Sequence, residues 1–321
     1  MNEASSKFVD NLAMDKLLNE KLRKVNHSSK HSVFVPAEGL FTNAKKRLNF
    51  SEVNYTKIGN TRKRIEIPSF ESSTYYSENN SIYLYNYPAQ NAKHNILFVH
   101  GLFDDNIVNY DYLFKLLNEY NFNVYFMTMP YHFDRRPKTS LFSGEYFFSA
   151  DIFRTQNAFK QAVLDIDASL QYIGSENDLP KAIVGFSMGG CVSLRHYILK
   201  KQEIPTFLIN PVTNLCEVLW DSPLFETIGS DLINSGYDMK KCEKFFVEMD
   251  PSKNIDGSFR NDNIAMAYSS YDQVIEERKY MRFINMTGIK KTFTYHSGHL
   301  NVLRVPKLAK DICDFVEQAT L

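Results

Sequence analysis

Lys181-Ala182-Ile183-Val184-Gly185-Phe186-Ser187-Met188-Gly189 is the stretch on which the reading of the whole chain turns. Residues 181–184 form a short apolar run suited to a buried strand, and residues 189–200 carry on as a helix. A serine therefore stands at the tip of a strand that turns at once into a helix, with a glycine two residues to either side. Such a tip holds its residue in a strained conformation, and side chains two positions away would crowd the turn, so glycine suits both places. The helix start behind the serine presents free N–H groups to a developing negative charge. As a bare pentapeptide GxSxG is a weak signal; between a strand and a helix it reads as a nucleophile elbow.

The same rhythm extends outward. Upstream, strands are expected at 81–87, 94–99 and 122–129, the last stopped by Pro130, with helices at 110–120 and 153–173, the latter stopped by Gly174. Downstream, strands are expected at 206–210, 263–269 and 291–295, and helices at 276–283 and 306–317. Strands alternating with helices imply parallel βαβ units in a doubly wound α/β sheet. Residues 211–261 break the alternation with three helical runs, at 215–220, 224–232 and 239–249, and read as a cap over the carboxyl edge of the sheet. The expected organisation is an N-terminal extension over 1–65, a core over 66–212 and 262–321, and a helical cap insertion over 213–261.

A serine hydroxyl needs a base, and the base needs an orienting acid. Among the eight histidines, His296 and His299 follow the last expected strand, where a loop can carry an imidazole to the elbow. His299, after Gly298, is the choice; His296, closer to the strand, is its competitor. His196 lies down the helix after the serine and should point away. The acid should follow the preceding strand, which selects Asp272, with Asp250, Asp256 and Asp262 as fallbacks. The plain alternative for Asp272 is a turn or helix-capping residue. His100-Gly101 ends an early strand, so the oxyanion donors are expected to be the N–H groups of Leu102 and Met188, with Phe103 as alternate for the first.

The order Ser187, Asp272, His299, with His100-Gly101 upstream, resembles the α/β-hydrolase superfamily over residues 80–321. The resemblance implies a mostly parallel eight-stranded sheet and acyl transfer through an acyl-enzyme. It carries Ser187, Asp272 and His299 over as a catalytic triad, and the Leu102 and Met188 amides as oxyanion hole. Residues 131–151 depart from the short glycine-rich turn often found there. Two roles stay open for Arg135 and Arg136 in that loop: binding an anionic substrate group, or a structural salt bridge with Asp134, Glu145 or Asp151.

Composition bounds the function. Lys plus Arg and Asp plus Glu both count 37 in 321 residues, so no nucleic-acid partner is indicated. The four cysteines form no CxxC pair, and His296-x-x-His299 has no acidic or cysteine partner at ligand spacing, so neither a metal nor a cofactor is expected. No apolar run approaches the ~18 residues that span a membrane, and the polar N-terminus has no signal-peptide core, which points to a cytoplasmic protein. Met14, Leu18, Leu22 and Val25 are spaced as one helix face, interrupted by Asn11, Asp15 and Asn19. This helix, with the basic triplets Lys45-Lys46-Arg47 and Arg62-Lys63-Arg64, is read as packing on the main domain in preference to docking on a membrane surface. The cap aromatics Trp220, Phe225, Phe245 and Phe246 are read first as cap core and second as a lining for an apolar acyl or aryl group. The expected activity is hydrolysis of a small-molecule carboxylic ester; peptidase, thioesterase, lipase or non-catalytic binding functions are the alternatives on this fold. Substrate identity and oligomeric state are not written in these features.

Overall fold

The computed structural model describes residues 2–28, 41, 46–59, 61–73, 75–201 and 203–320; His31 and Lys45 lie outside them. In chain order the described elements begin with α1 (Glu3–Glu20), β1 (Asn54–Ile58), β2 (Arg62–Pro68), β3 (Ser81–Tyr87) and β4 (His94–Val99). They continue with α2 (Asp111–Glu119), β5 (Phe122–Met127), α3 (Ile152–Glu176), β6 (Lys181–Phe186), α4 (Met188–Leu199) and β7 (Thr206–Ile209). Three helices follow, α5 (Leu215–Asp221), α6 (Glu226–Asn234) and α7 (Met239–Phe246), and then β8 (Ile264–Ser269), α8 (Glu277–Thr287), β9 (Lys291–Tyr295) and α9 (Pro306–Thr320).

The strands form one sheet in the order β1-β2-β3-β5-β4-β6-β7-β8-β9. Pairing is antiparallel from β1 through β3 to β5 and parallel from there to β9. The two faces separate by strand alternation. On β4, Ile96 and Phe98 pack with α2 and α9, while Leu97 and Val99 pack on the opposite side with α3, α4 and the helices α5 to α7. The carboxyl ends of the parallel strands all point to one edge, where β4, β6, β8 and β9 deliver their following loops.

The sheet has nine described strands, not the expected eight, and it begins at Asn54, inside the stretch expected to precede the core; residue 65 falls within β2. The reason is compositional. β1 is exposed along its whole length, and in β2 only Ile65 and Ile67 alternate inward, so neither shows the apolar periodicity of a core strand. The triplet Arg62-Lys63-Arg64 serves the sheet: Arg62 lies 4.5 Å from the Tyr87 ring centre, Arg64 5.1 Å from Tyr83 and Lys63 5.8 Å from Tyr55. A charged edge also discourages pairing with another chain.

α1 starts where Asn2 caps it, the Ser5 N–H donating to Asn2 Oδ1 at 2.9 Å, a cap worth about 1 kcal/mol. Its buried face is Ser6, Asp10, Met14 and Leu18, so the helix packs on the main body as expected, with a polar half to its stripe. Lys21 pairs with Asp105 after β4 at 2.7 Å, and the His27 N–H donates to Asp231 of α6 at 2.7 Å, which fix the carboxyl end of the helix between those two elements. No helix among the described residues is long and apolar enough to cross a membrane.

Candidate active site

β6 ends at Phe186 and α4 begins at Met188, so Ser187 alone makes the turn. Its backbone sits at φ 54°, ψ −117°, where a residue with a Cβ is held at a cost of order 1–3 kcal/mol. The surroundings enforce it: the Ser187 N–H donates to the Ile209 carbonyl at 2.9 Å, and its own carbonyl accepts from Cys191 at 3.1 Å and Val212 at 3.2 Å. A Cβ at Gly189 would lie 2.2 Å from the Val99 carbonyl oxygen, and one at Gly185 2.5 Å from Ser193 Oγ, which is why both flanking positions are glycine.

Asp272 follows β8 and His299 follows β9, and both are buried. Asp272 Oδ1 accepts the Val274 and Ile275 N–H groups, each at 2.8 Å. Its Oδ2 accepts the Tyr280 hydroxyl at 2.8 Å and His299 Nδ1–H at 2.7 Å. An ionised carboxylate only accepts, so the imidazole proton sits on Nδ1. Nε2 is then the acceptor for the Ser187 hydroxyl, 2.9 Å away. Burial by itself lowers the His299 pKa, but the charge and hydrogen bond of Asp272, with Asp10 and Asp104 adding, carry it above the usual imidazole value.

The loop after β4 faces the serine from the other side. Its Gly101 N–H donates to Asp104 Oδ2 at 3.0 Å and to the Tyr110 hydroxyl at 3.2 Å, and its Phe103 N–H donates to His132 Nε2 at 3.2 Å. Phe103, the alternate donor, is thereby committed. The Leu102 N–H meets no acceptor among the described residues, and Met188, as first residue of α4, has no helix carbonyl behind it to bond. Leu102 and Met188 line the same cavity as Ser187 and His299. His132 holds this loop as a neutral ring: Nδ1–H donates to the Pro130 carbonyl at 2.8 Å, and burial pushes its pKa down to about 3. His100 is held likewise, taking the Met129 N–H on Nε2 at 3.0 Å and donating Nδ1–H to the Gly101 carbonyl at 2.7 Å. The Asp104 carboxyl, which accepts the Tyr110 hydroxyl, is raised by burial to about 7.

The cavity over Ser187 measures about 90 Å³. Val218, Leu224 and Phe225 close it from the helical insertion, Val274 from the acid loop, and Met14 and Leu17 from α1. Phe225 is thus the cap aromatic that reaches the cavity, whereas Phe246 is in the core and Phe245 packs on Phe153 and Tyr237.

The other candidates go elsewhere. His296 is exposed, its Nδ1 3.2 Å from Ser270 Oγ, and His196 binds Asp167 at 2.9 Å. Asp250 accepts from Leu215 and Ser252, Asp256 from Ser258, and Asp262 pairs with Arg260. Arg135 is a buried structural cation whose partner is Asp165, at 2.7 Å, and not Asp134, Glu145 or Asp151; it also donates to the carbonyls of Thr128 and Asn79. Arg136 is exposed. All four cysteines are buried and free, and no cluster able to hold a metal ion occurs among the described residues.

Sequence reasoning passed over four residues at this site: Asp10, Asp104, His132 and Tyr280. Tyr280 lies eight residues beyond Asp272, in the first turn of α8, and has only that nearness as a signal. Asp10 sits one turn before Met14, the first residue of the stripe already noted, and a lone carboxylate there extends no apolar period. His132 and Asp104 have no local signal, because their roles lie in contacts between loops.

No family model matches the sequence, and no curated protein is similar to it in sequence. Solved structures are similar in shape. An acetyl xylan esterase from Paenibacillus sp. R4 superposes with a TM-score of 0.64 at 14% identity, covering 93% of this chain and 98% of that one. An S-formylglutathione hydrolase from Agrobacterium tumefaciens gives 0.56 at 12% identity, over 84% and 98%. A thermostable carboxyl esterase from Bacillus coagulans gives 0.53 at 12% identity, over 82% and 100%. The chain has the α/β-hydrolase fold.

Proposed function

We propose that this protein is a serine hydrolase of carboxylic esters with a small acyl group. The observation that carries the reading is the continuous hydrogen-bonded line from Ser187 Oγ through His299 to Asp272, opening on a small apolar cavity. Ser187 attacks the ester carbonyl while His299 Nε2 takes its proton. His299 returns that proton to the leaving alcohol, and an acyl-enzyme remains. Water, activated by the same nitrogen, then releases the acid. Asp272 keeps the proton on Nδ1 and stabilises the imidazolium. The Leu102 and Met188 N–H groups hold the tetrahedral oxyanion, each donor of this kind being worth about 3–4 kcal/mol. The buried carboxylate and the strained serine are costly to hold, and this chemistry uses both.

The size of the acyl group follows from the cavity. The cavity of about 90 Å³, walled by Met14, Leu17, Val218, Leu224 and Phe225, suits a short apolar acyl chain. Two of the structural neighbours are named as esterases, one of them of acetyl groups. The test is turnover of a p-nitrophenyl ester series of increasing acyl length by wild type and Ser187→Ala. Expected are the highest kcat/KM on the shortest chains and a loss of about 10⁶-fold in the variant. Wild-type turnover by Ser187→Ala overturns the serine mechanism; a preference for long chains overturns the small acyl group.

A further inference from the structure

We infer that Asp10, on the N-terminal helix, is a positioning residue whose carboxylate clamps the acid loop to the base loop and so holds His299 in line with Ser187. The inference rests on the Ser187–His299–Asp272 reading above. Asp10 Oδ2 accepts the His299 N–H at 2.5 Å and the Gln273 N–H at 3.3 Å, and Oδ1 accepts the Leu300 N–H at 3.2 Å. One carboxylate thus joins the residue after the acid to the residue that carries the imidazole, across 263 and 289 positions of sequence. Gly298 makes the approach possible: a Cβ there would lie 2.6 Å from Asp10 Oδ2.

Docking of α1 gives no reason for a carboxylate at this position. Asp10 is 1% exposed and has no Lys or Arg partner among the described residues. Burying such a group costs several kcal/mol unless its lone pairs are met, and here they are met by N–H groups of the two catalytic loops alone. Apolar residues would dock the helix at lower cost, as Met14 and Leu18 do one and two turns on. The carboxylate also bears on the proton transfer. Burial raises the pKa of Asp10, and the charge of His299 is the chief influence opposing that rise. The charged groups facing His299 are Asp272 from the loop after β8, Asp10 from α1 and Asp104 from the loop after β4, while the Tyr280 hydroxyl of α8 faces Asp272. In its ionised form each of the three favours the imidazolium that forms as Ser187 gives up its proton, with Asp272 first among them.

The sign for the pH profile follows. Turnover needs neutral His299, so kcat/KM rises with pH through a midpoint above the usual imidazole value, and removing the Asp10 charge moves that midpoint down. The experiment compares wild type, Asp10→Asn and Asp10→Glu by two readouts between about pH 5 and about pH 9, expressed per titrated active site. One is the rate at which a fluorophosphonate labels Ser187; the other is kcat and KM on p-nitrophenyl acetate. For Asp10→Asn we expect kcat and labelling rate to fall about 10- to 100-fold with KM within about twofold, as for a misplaced catalytic group. Its midpoint should fall by about half a unit. Asp10→Glu, which keeps the charge, should keep a midpoint near that of wild type. Wild-type kcat, labelling rate and midpoint in Asp10→Asn, with only thermal stability reduced, would overturn the inference. Should that variant fail to fold, Gly298→Ala pushes a methyl group onto the same carboxylate oxygen and should slow labelling, and wild-type labelling there overturns it equally. A wild type that labels at Ser187 but leaves the ester untouched defeats the ester reading alone, since the labelling comparison still judges Asp10.

Discussion

Two loops meet over Ser187, and they are held by opposite kinds of group. The loop after β4, which presents the Leu102 N–H, is supported by two buried imidazoles, His100 and His132, both kept neutral by burial. The loop after β9, which presents His299, is supported by the carboxylates of Asp272 and Asp10. In the proposed reaction negative charge develops at the first loop and positive charge at the second. Neutral supports leave the field of the N–H donors undiminished where the oxyanion forms, whereas carboxylates stabilise the imidazolium. Of the two carboxyls in the first loop, Asp105 pairs with Lys21, and Asp104, its pKa raised by burial to about 7, is about half protonated at neutral pH. The lesson is that supporting residues are matched to the charge that appears during the reaction, as well as to the resting structure.

The comparison is open to breakage at each support. The largest effect should come from Asp272→Asn, which leaves an amide where the imidazole needs an acceptor fixed on Nδ1. A fall of about 10⁴ in kcat on p-nitrophenyl acetate is expected, because the wrong tautomer then faces Ser187. A fall of less than about tenfold would mean that the carboxylate side is not where the charge matters. His132→Leu should act on the other loop. Freed of its acceptor, the Phe103 N–H lets the adjacent Leu102 donor drift, and kcat should fall about 10- to 100-fold, less than for outright loss of a donor. Because His132 is neutral throughout, the pH midpoint of this variant should stay where wild type has it, and a shift would break the contrast between the loops. Tyr280→Phe should be the mildest, removing one of four hydrogen bonds to Asp272 and lowering kcat about fivefold, or about 1 kcal/mol. Single-turnover kinetics would separate that loss from any change in product release.

How much of this was legible varies by region, and the variation has a physical basis. Strands expected at 81–87, 94–99 and 291–295 coincide with β3, β4 and β9, since an inward face leaves an alternating apolar pattern, as in β3 and β9, and burial on both faces a continuous one, as in β4. The elbow was legible because Val99 crowds position 189 and Ser193 crowds position 185, and glycine at both places records that exclusion. β1 and the start of β2 were not, because an exposed, charged edge has no apolar period to read. The helix expected to stop at Gly174 runs on to Glu176, since a single interior glycine costs a helix only about 1 kcal/mol.

The sequence by itself determined the alternation of strands and helices, the serine at its turn, and the order in which Asp272 and His299 follow, since each of these is local or fixed by chain order. The tertiary structure alone decided which imidazole faces the serine, which N–H groups stay free, and that the cavity is closed by α1. It alone made Asp10, one turn before the helical stripe, an acceptor for two loops hundreds of residues downstream. A hydrogen bond between distant segments leaves no period and no spacing in either one, because its geometry exists only once the sheet has brought the two ends together.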